Sequence, residues 1–202
     1  MAETNARRRA GIGCRAHSGW AVMVAVSGTK DAPQIIDRRR VELITSGLPK
    51  QPYHAAEKLG LTDAQRLIRE SANAARNLAR HALRALVDTL GHEGYSVTGV
   101  GIALSSGRTL GALAATLASH AMIHTAEGEL FRNALIAASE QCQLPVTRVR
   151  ERDLFAHASN QLGTPADKLR AWLADLGRPL GPPWRVDEKI SALLGWLVLA
   201  QP

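Results

Sequence analysis

The sequence predicts an α/β domain built on a mixed sheet, in which antiparallel strands come first and parallel strands follow. Three observations lead to this prediction. Two apolar segments within residues 10–44 flank a turn rich in Gly, Asp and Pro, which is the pattern of an antiparallel hairpin. The segment 97–104 is apolar without polar alternation, as in a strand covered on both faces. Helical patterns precede and follow that strand, as crossovers between parallel strands require.

The other elements follow along the chain. Residues 1–9 are polar and basic, so we predict a disordered end there and one domain over 10–202. After a loop at 46–60, Thr62 and Gln65 form the capping box of a long amphipathic helix. Downstream we predict a helical region at 109–143 with a break near Gly128, a strand at 145–149, and helices at 153–162, after the cap Thr164, and at 187–199.

The composition bounds the function. The chain has 202 residues, of which 46% are hydrophobic, so it can bury a core and disorder is excluded. The formal net charge of +7 predicts an anionic partner such as nucleic acid or a nucleotide, although many Arg- and Ala-rich bacterial proteins are basic without one. Arginine triplets at 7–9 and 38–40 could contact phosphates, or form a solvated face, because aromatic interleaving is missing.

The cysteines and the apolar runs indicate the compartment. Cys14 and Cys142 have neither metal-type spacing nor the number needed for a disulfide scaffold, which favours a reducing environment. The amino-terminal segment has no apolar signal core, and the most apolar run, 192–200, is too short to span a bilayer. We therefore predict a cytoplasmic protein with no membrane partner.

Three segments carry a resemblance to a known family. Residues 11–14 read Gly-Ile-Gly-Cys, and 19–22 read Gly-Trp-Ala-Val; residues 126–149 form a helix and strand; and a last helix begins at Asp187. These segments resemble Holliday-junction resolvases of the RuvC type, within the ribonuclease-H-like superfamily. The resemblance spans most of the chain and implies the ribonuclease-H-like fold, with helices on both faces of the sheet.

The chain departs from that family at the catalytic positions. The resolvases hold two divalent cations with four carboxylates. Here the first-strand Asp falls on Gly13, the central-strand Glu falls near Ser105, and of the last-helix pair only Asp187 remains, because the second becomes Ile190. One carboxylate cannot hold two Mg²⁺ ions. These departures from the family therefore predict a protein without nuclease activity.

A cluster of histidines offers a second kind of chemistry. His120 and His124 are four residues apart and share one helix face, with Glu127 a turn further on. This spacing could bind zinc or another divalent metal with a third ligand such as His17 or His54. Without a metal, His124 and Glu127 could orient or transfer protons as catalytic groups. The alternative is a partly buried helix with hydrogen-bonded histidines.

The turn after the central strand predicts an anion site. The turn Ser105-Ser106-Gly107-Arg108 lies between a strand and a helix, where backbone N–H groups can bind phosphate. The guanidinium of Arg108 can bind the same phosphate through two hydrogen bonds. Open α/β sheets bind ligands at this end of their strands. An ordinary βα turn is the alternative, and a nucleophilic serine would lack its usual elbow motif.

Side chains from distant segments could meet at this turn. Lys50 and His54 lie in the long loop at 46–60, which is a common location for functional residues. The resemblance implies that His17, near the first-strand site, and Lys189, near the start of the last helix, face the same cleft. Each of these residues could instead be structural or a solvated charge.

The sequence thus predicts a nuclease-inactive ribonuclease-H-like protein that binds a nucleotide or nucleic-acid phosphate. The cleft would be lined by His17, Lys50, His54, Ser106, Arg108, His124, Glu127 and Lys189. One alternative is a metal- or His-dependent hydrolase that uses this cleft. The one cofactor that the sequence suggests is a divalent metal. Another is a structural or interaction protein that forms a homodimer through the Ala-rich helix at 109–140.

Overall fold

The computed structural model describes residues 7–105 and 109–201. Its centre is a five-stranded sheet in the order β3-β2-β1-β4-β5. The strands are β1 (Arg8–His17), β2 (Trp20–Gly28), β3 (Pro33–Glu42), β4 (Tyr95–Leu104) and β5 (Val146–Arg150). Strands β1, β2 and β3 pair antiparallel, whereas β4 is parallel to both β1 and β5. The predicted mixed sheet is confirmed.

Seven helices surround the sheet in the described parts of the chain. They are α1 (Pro52–Ala56), α2 (Leu61–His92), α3 (Leu113–Leu117), α4 (His120–Gln141), α5 (Leu154–Leu162), α6 (Ala166–Leu176) and α7 (Val186–Leu199). On one face, Ile12 of β1 packs in a core with Leu86 of α2 and Phe131 of α4. On the other, Val24 of β2 packs with Leu194 of α7. The sheet therefore separates two helical layers, which we call the α2/α4 layer and the α7 layer. None of the described helices is both long and apolar enough to cross a membrane.

Helix α7 lies directly on β1 because that strand has glycines on one face. Side chains alternate between the faces of a strand, so Ile12 and Cys14 enter the α2/α4 layer, whereas Gly11 and Gly13 lie beneath α7. A Cβ atom at Gly13 would overlap the carbonyl oxygen of Ser191 in α7. The absence of a side chain is thus what allows the helix backbone to approach the strand.

Some predicted boundaries differ from the structure. Strand β1 begins at Arg8, so the predicted disordered end is wrong for the last two residues of 1–9. The loop at 46–60 contains the short helix α1, because Pro52 suits the first turn of a helix. Thr62 does not cap α2; the cap position is Gly60, and no side chain there accepts a hydrogen bond. Pro165 likewise replaces Thr164 at the cap of α6.

The predicted break near Gly128 is also wrong. Helix α4 continues through Gly128, and the interruption lies earlier, at Ser119 between α3 and α4. A glycine inside a helix costs about 1 kcal/mol relative to alanine. The guanidinium of Arg132 lies against this position: a Cβ at residue 128 would lie 2.5 Å from its Nη2 atom.

The Ala-rich helix is packed inside the protomer. Ala126, Ala134 and Ala138 of α4 are buried, and the latter two belong to the core shared with α2. This face of α4 is therefore not free to form the predicted homodimer contact. Dimerisation through another surface stays a prediction.

Candidate functional site

A buried glutamate joins α1 to α4. The Oε2 atom of Glu127 accepts hydrogen bonds from the backbone N–H of Tyr53 at 3.1 Å and of His54 at 3.4 Å. The same oxygen lies 3.0 Å from Nδ1 of His54. Only 2% of the Glu127 side chain is exposed. Its carboxylate therefore holds both the start of α1 and the imidazole ring of His54 in place.

Burial dominates the titration of this carboxyl group. It raises the pKa of Glu127, while the hydrogen bonds from His54 and Tyr53 partly oppose the shift. Burial, followed by the nearby Glu127 charge, also raises the pKa of the Tyr53 hydroxyl. The second carboxylate oxygen, Oε1, is buried and has no hydrogen-bond partner among the described residues. A positively charged group near His54 would compensate the negative charge of an ionised Glu127.

Three imidazole rings meet beside this glutamate. The Nε2 atoms of His120 and His124 lie 3.0 Å apart, and the His54 ring centroid is 4.6 Å from that of His124. One nitrogen from each of the three rings lies within 4.8 Å of the others. Across residues 7–105 and 109–201, no other group of three His, Cys, Asp or Glu residues brings its ligand atoms together in this way. We call these side chains the histidine cluster.

A separate ion network lies at the carboxyl end of β1, in the α7 layer. Arg15 contacts Asp187 and forms a two-point pair with Glu151, at 2.7 and 3.0 Å. His17 Nε2 lies 2.8 Å from Asp187 Oδ1, and its ring stacks on Trp20 with centroids 4.2 Å apart. We call Arg15, His17, Glu151 and Asp187 the ion network.

The partners of Asp187 in the ion network favour its ionised form. Burial tends to raise the pKa of Asp187, but hydrogen bonds and charges from His17 and Arg15 outweigh it and lower the pKa. Burial tends to lower the pKa of Arg15, while Glu151 and Asp187 raise it overall. Arg15 and His17 therefore hold Asp187 and favour its ionised form.

The resemblance to resolvases also implies metal-ligand positions at residue 13 and near Ser105. Residue 13 has no room for a side chain beneath α7. Ser105 donates a hydrogen bond to Glu129 at 3.1 Å and accepts one from Arg132 at 2.9 Å. Arg132 also pairs with Glu129, at 3.2 Å. Glu129, the carboxylate beside Ser105 at the end of β4, is thus paired with Arg132.

The structure divides the predicted cleft residues between layers. His54, His124 and Glu127 come together, but His17 lies in the α7 layer, because odd-numbered side chains of β1 point away from α4. The prediction that His17 joins the other histidines is therefore wrong.

The remaining predicted residues have different positions. Lys50 and His54 line one surface hollow, together with Ser18. Lys189 is half-buried on α7, two residues after Asp187. Ser106 and Arg108 lie outside the described residues, so their predicted anion site stays a prediction.

Helix α2 carries a basic face that the sequence analysis overlooked. Arg66, Arg69, Arg76, Arg80 and Arg84 are all exposed. At 100° per residue they fall within an arc of about 80°, along about 27 Å of the helix axis. Their spacing of three, seven, four and four residues is the signal that could have revealed them. We call them the arginine face. Acidic residues border it: Asp63, Glu70 and Asp88.

The arginine triplet at 38–40 makes contacts within the protein. Arg38 donates to carbonyl oxygens of the loop after α6, including that of Gly181 at 3.0 Å. Arg39 pairs with Asp37 at 2.9 Å, and Arg40 lies over the Trp20 ring. The triplet at 38–40 thus stabilises the sheet edge and its adjoining loop.

Comparison with known proteins establishes the fold. No protein-family model matches the chain, and no curated protein does. Among solved structures, RuvC of T. thermophilus in complex with a Holliday junction substrate is 8% identical, with a TM-score of 0.53 over 95% of this chain and 92% of that chain. A Thermus thermophilus RuvC structure is 10% identical, with a TM-score of 0.48 over 94% and 92% of the respective chains. The chain therefore has a RuvC-like, ribonuclease-H-like fold, as predicted.

Proposed function

We propose that this protein is a nuclease-inactive member of the ribonuclease-H-like fold that binds nucleic acid through the arginine face of α2. The observation that carries the proposal is the alignment of five exposed arginines on one side of helix α2. Guanidinium groups pair with phosphate oxygens through two parallel hydrogen bonds. A row of them suits a polyanion better than a single small ligand.

The length of the arginine face supports a nucleic-acid partner. Duplex DNA carries one charge per about 1.7 Å of axis, so about 27 Å of helix faces several phosphates. Arg66 already pairs with Asp63 at 2.6 Å, but both side chains are more than half exposed. Exposed pairs of this kind are worth about 0–1 kcal/mol, so phosphate can displace them.

The segment around α1, which carries Lys50 and His54, lies next to this face. Tyr53 of α1 and Arg76 of α2 line the same small hollow. Lys50 and His54 belong to the segment around Tyr53, so they would extend the phosphate contact at one end. Lys189 lies in the α7 layer, away from α2. We retain it only as a candidate for a second contact.

The absence of nuclease activity follows from the changed metal positions. The backbone of α7 fills the space above Gly13, and Asp187 is engaged by Arg15 and His17. Two-metal hydrolysis needs carboxylates that are free to bridge or bind both ions. We expect purified protein to leave a four-way DNA junction uncut in Mg²⁺ or Mn²⁺.

Binding can be measured by fluorescence anisotropy with labelled four-way junction, duplex and single-stranded DNA. The test variant is Arg76→Ala combined with Arg80→Ala. We expect its affinity for duplex to fall about tenfold or more, and the slope of log affinity against log salt to decrease by about 1.8. The slope changes because each neutralised phosphate contributes about 0.9.

The matched control removes two arginines from the opposite layer. Arg152 and Arg178 have side chains 67% and 79% exposed, so the double alanine variant lowers the net charge equally. Equal weakening by both double variants would show that net charge alone attracts DNA. Lack of binding by the wild type to all three probes, or Mg²⁺-dependent cleavage lost in Asp187→Asn, would refute the proposal.

A further inference from the structure

We propose that His54, His120 and His124 form a binding site for a zinc-class divalent cation, with Glu127 supporting His54 and the remaining coordination position open to an oxygen ligand. The observation is the convergence of one nitrogen from each ring within 4.8 Å. The site lies at the junction of α1 and α4, in the opposite layer from the ion network. It is therefore distinct from the carboxylate site of the resolvases.

The two α4 histidines are placed by local geometry. His120 begins α4 and His124 lies one turn later, so both rings project from the same side of the helix. Both are exposed, while His54 is partly buried. Because exposed rings rotate at little cost, His120 and His124 can turn towards an ion that is first bound by the better-fixed His54.

Glu127 prepares His54 for a metal. The Oε2 atom of Glu127 lies within hydrogen-bond distance of Nδ1 of His54, at 3.0 Å. The other ring nitrogen, Nε2, is then left for metal coordination. Metal-bound histidines almost always donate the other ring N–H to a carboxylate or carbonyl, which fixes the tautomer and makes the ligand more basic. Glu127 is also fixed by the two backbone N–H groups of Tyr53 and His54. This arrangement needs no rearrangement of α1 to hold the imidazole.

The distances are close to those of a tetrahedral ion. With Zn–N bonds of about 2.0–2.1 Å, ligand nitrogens lie about 3.3 Å apart. The Nε2 atoms of His120 and His124 are already 3.0 Å apart, and one ring nitrogen of His54 lies within 4.8 Å of a nitrogen of each. Small side-chain rotations would therefore complete the geometry.

The ligand type selects the metal. Three imidazoles suit Zn²⁺ and neighbouring transition metals, whereas Mg²⁺ and Ca²⁺ prefer oxygen ligands. Three protein ligands leave a tetrahedral ion with one free position, which is the arrangement of zinc sites that bind water or substrate. Neutral imidazoles leave the positive charge of the ion uncancelled, so water or an anionic oxygen is the expected fourth ligand.

The test is metal binding by metal-stripped full-length protein. Zn²⁺ affinity would be measured by competition with a chromophoric chelator, and Co²⁺ would report the geometry through its visible absorption. We expect one ion per chain, no competition from Mg²⁺, and the intense bands of four- or five-coordinate Co²⁺. Glu127→Gln should weaken Zn²⁺ binding about 10–100-fold with the stoichiometry unchanged. His124→Ala should weaken it further.

Matched controls separate the site from adventitious binding. His81 and His157 are exposed on other helices, so His81→Ala and His157→Ala should leave the affinity unchanged. Circular dichroism and thermal unfolding without metal show whether each variant is folded, and the exposed His120→Ala replaces any variant that is not. Equal affinity in His120→Ala, His124→Ala and the wild type would overturn the proposal. So would a folded wild type that binds no Zn²⁺ at micromolar concentration. Neither result would decide the DNA-binding proposal, because its test depends on the arginines of α2.

Discussion

The carbonyl oxygen of Ser191 occupies the space that a side chain at Gly13 would need. Strand β1 and helix α7 thus meet backbone to backbone at the position where the resemblance to resolvases places a metal-binding aspartate. Gly195 makes a similar contact from the helix, since its Cβ would lie 3.0 Å from the carbonyl oxygen of Gly11. The close packing of α7 and a carboxylate at residue 13 are therefore mutually exclusive in this chain.

Restoring the aspartate should damage the fold without restoring catalysis. Gly13→Asp would push α7 from the sheet and bury a carboxylate, which we expect to cost about 3 kcal/mol or more in the free energy of unfolding. Chemical denaturation measures this cost. The matched control is Gly47→Asp, because no atom lies within 4 Å of a Cβ there. A stable Gly13→Asp protein that cleaves DNA would contradict both the packing argument and the proposed inactivity.

The ion network should contribute pH-dependent stability. The pKa of Asp187 is lowered in the folded protein by His17 and Arg15, after allowing for the opposing effect of burial. Its contribution is therefore present above the unfolded pKa of about 3.9 and is lost as pH falls through the folded value. Asp187→Asn should lower the free energy of unfolding by about 1–2 kcal/mol at pH 7, after discounting for partial exposure. The difference from the wild type should shrink as pH falls through the folded pKa of Asp187, which lies below the unfolded value.

The control for this prediction is an exposed pair. Asp175 and Arg178 lie 2.9 Å apart with side chains 57% and 79% exposed, so Asp175→Asn should leave stability nearly unchanged. Urea unfolding between pH 2.5 and 7 gives both curves. A stability difference for Asp187→Asn that stays constant across this range would show that the charge of Asp187 does not stabilise the fold.

The two cysteines should differ in reactivity. Burial raises the pKa of Cys14 to about 12, so at pH 8 its thiolate fraction is on the order of 10⁻⁴ and the thiol is also inaccessible. Cys142 is only half-buried, although burial still raises its pKa, with smaller opposing effects from Arg84 and Arg80. A thiol reagent should label one cysteine in native protein and both after denaturation. Rapid labelling of native Cys142→Ser would contradict the buried position of Cys14.

Local patterns were sufficient for the fold class. The apolar strand β4, the hairpin before it and the amphipathic α2 are each recognisable from neighbouring residues, because strand and helix periodicities are short-range properties. The same reasoning placed His120 and His124 on one side of a helix, because that relation depends only on helical geometry. Boundaries that depend on packing were less predictable: α4 continues through Gly128, and the helical region is interrupted at Ser119 instead.

The sequence alone determined the α/β class, the mixed sheet and the shared helix face of two histidines. Only the tertiary structure decided that His54 joins those histidines through Glu127 while His17 pairs with Asp187 in the other layer. The physical reason is that contacts between distant segments depend on strand register and helix packing. A shift of one residue in β1 would send His17 to the opposite face of the sheet.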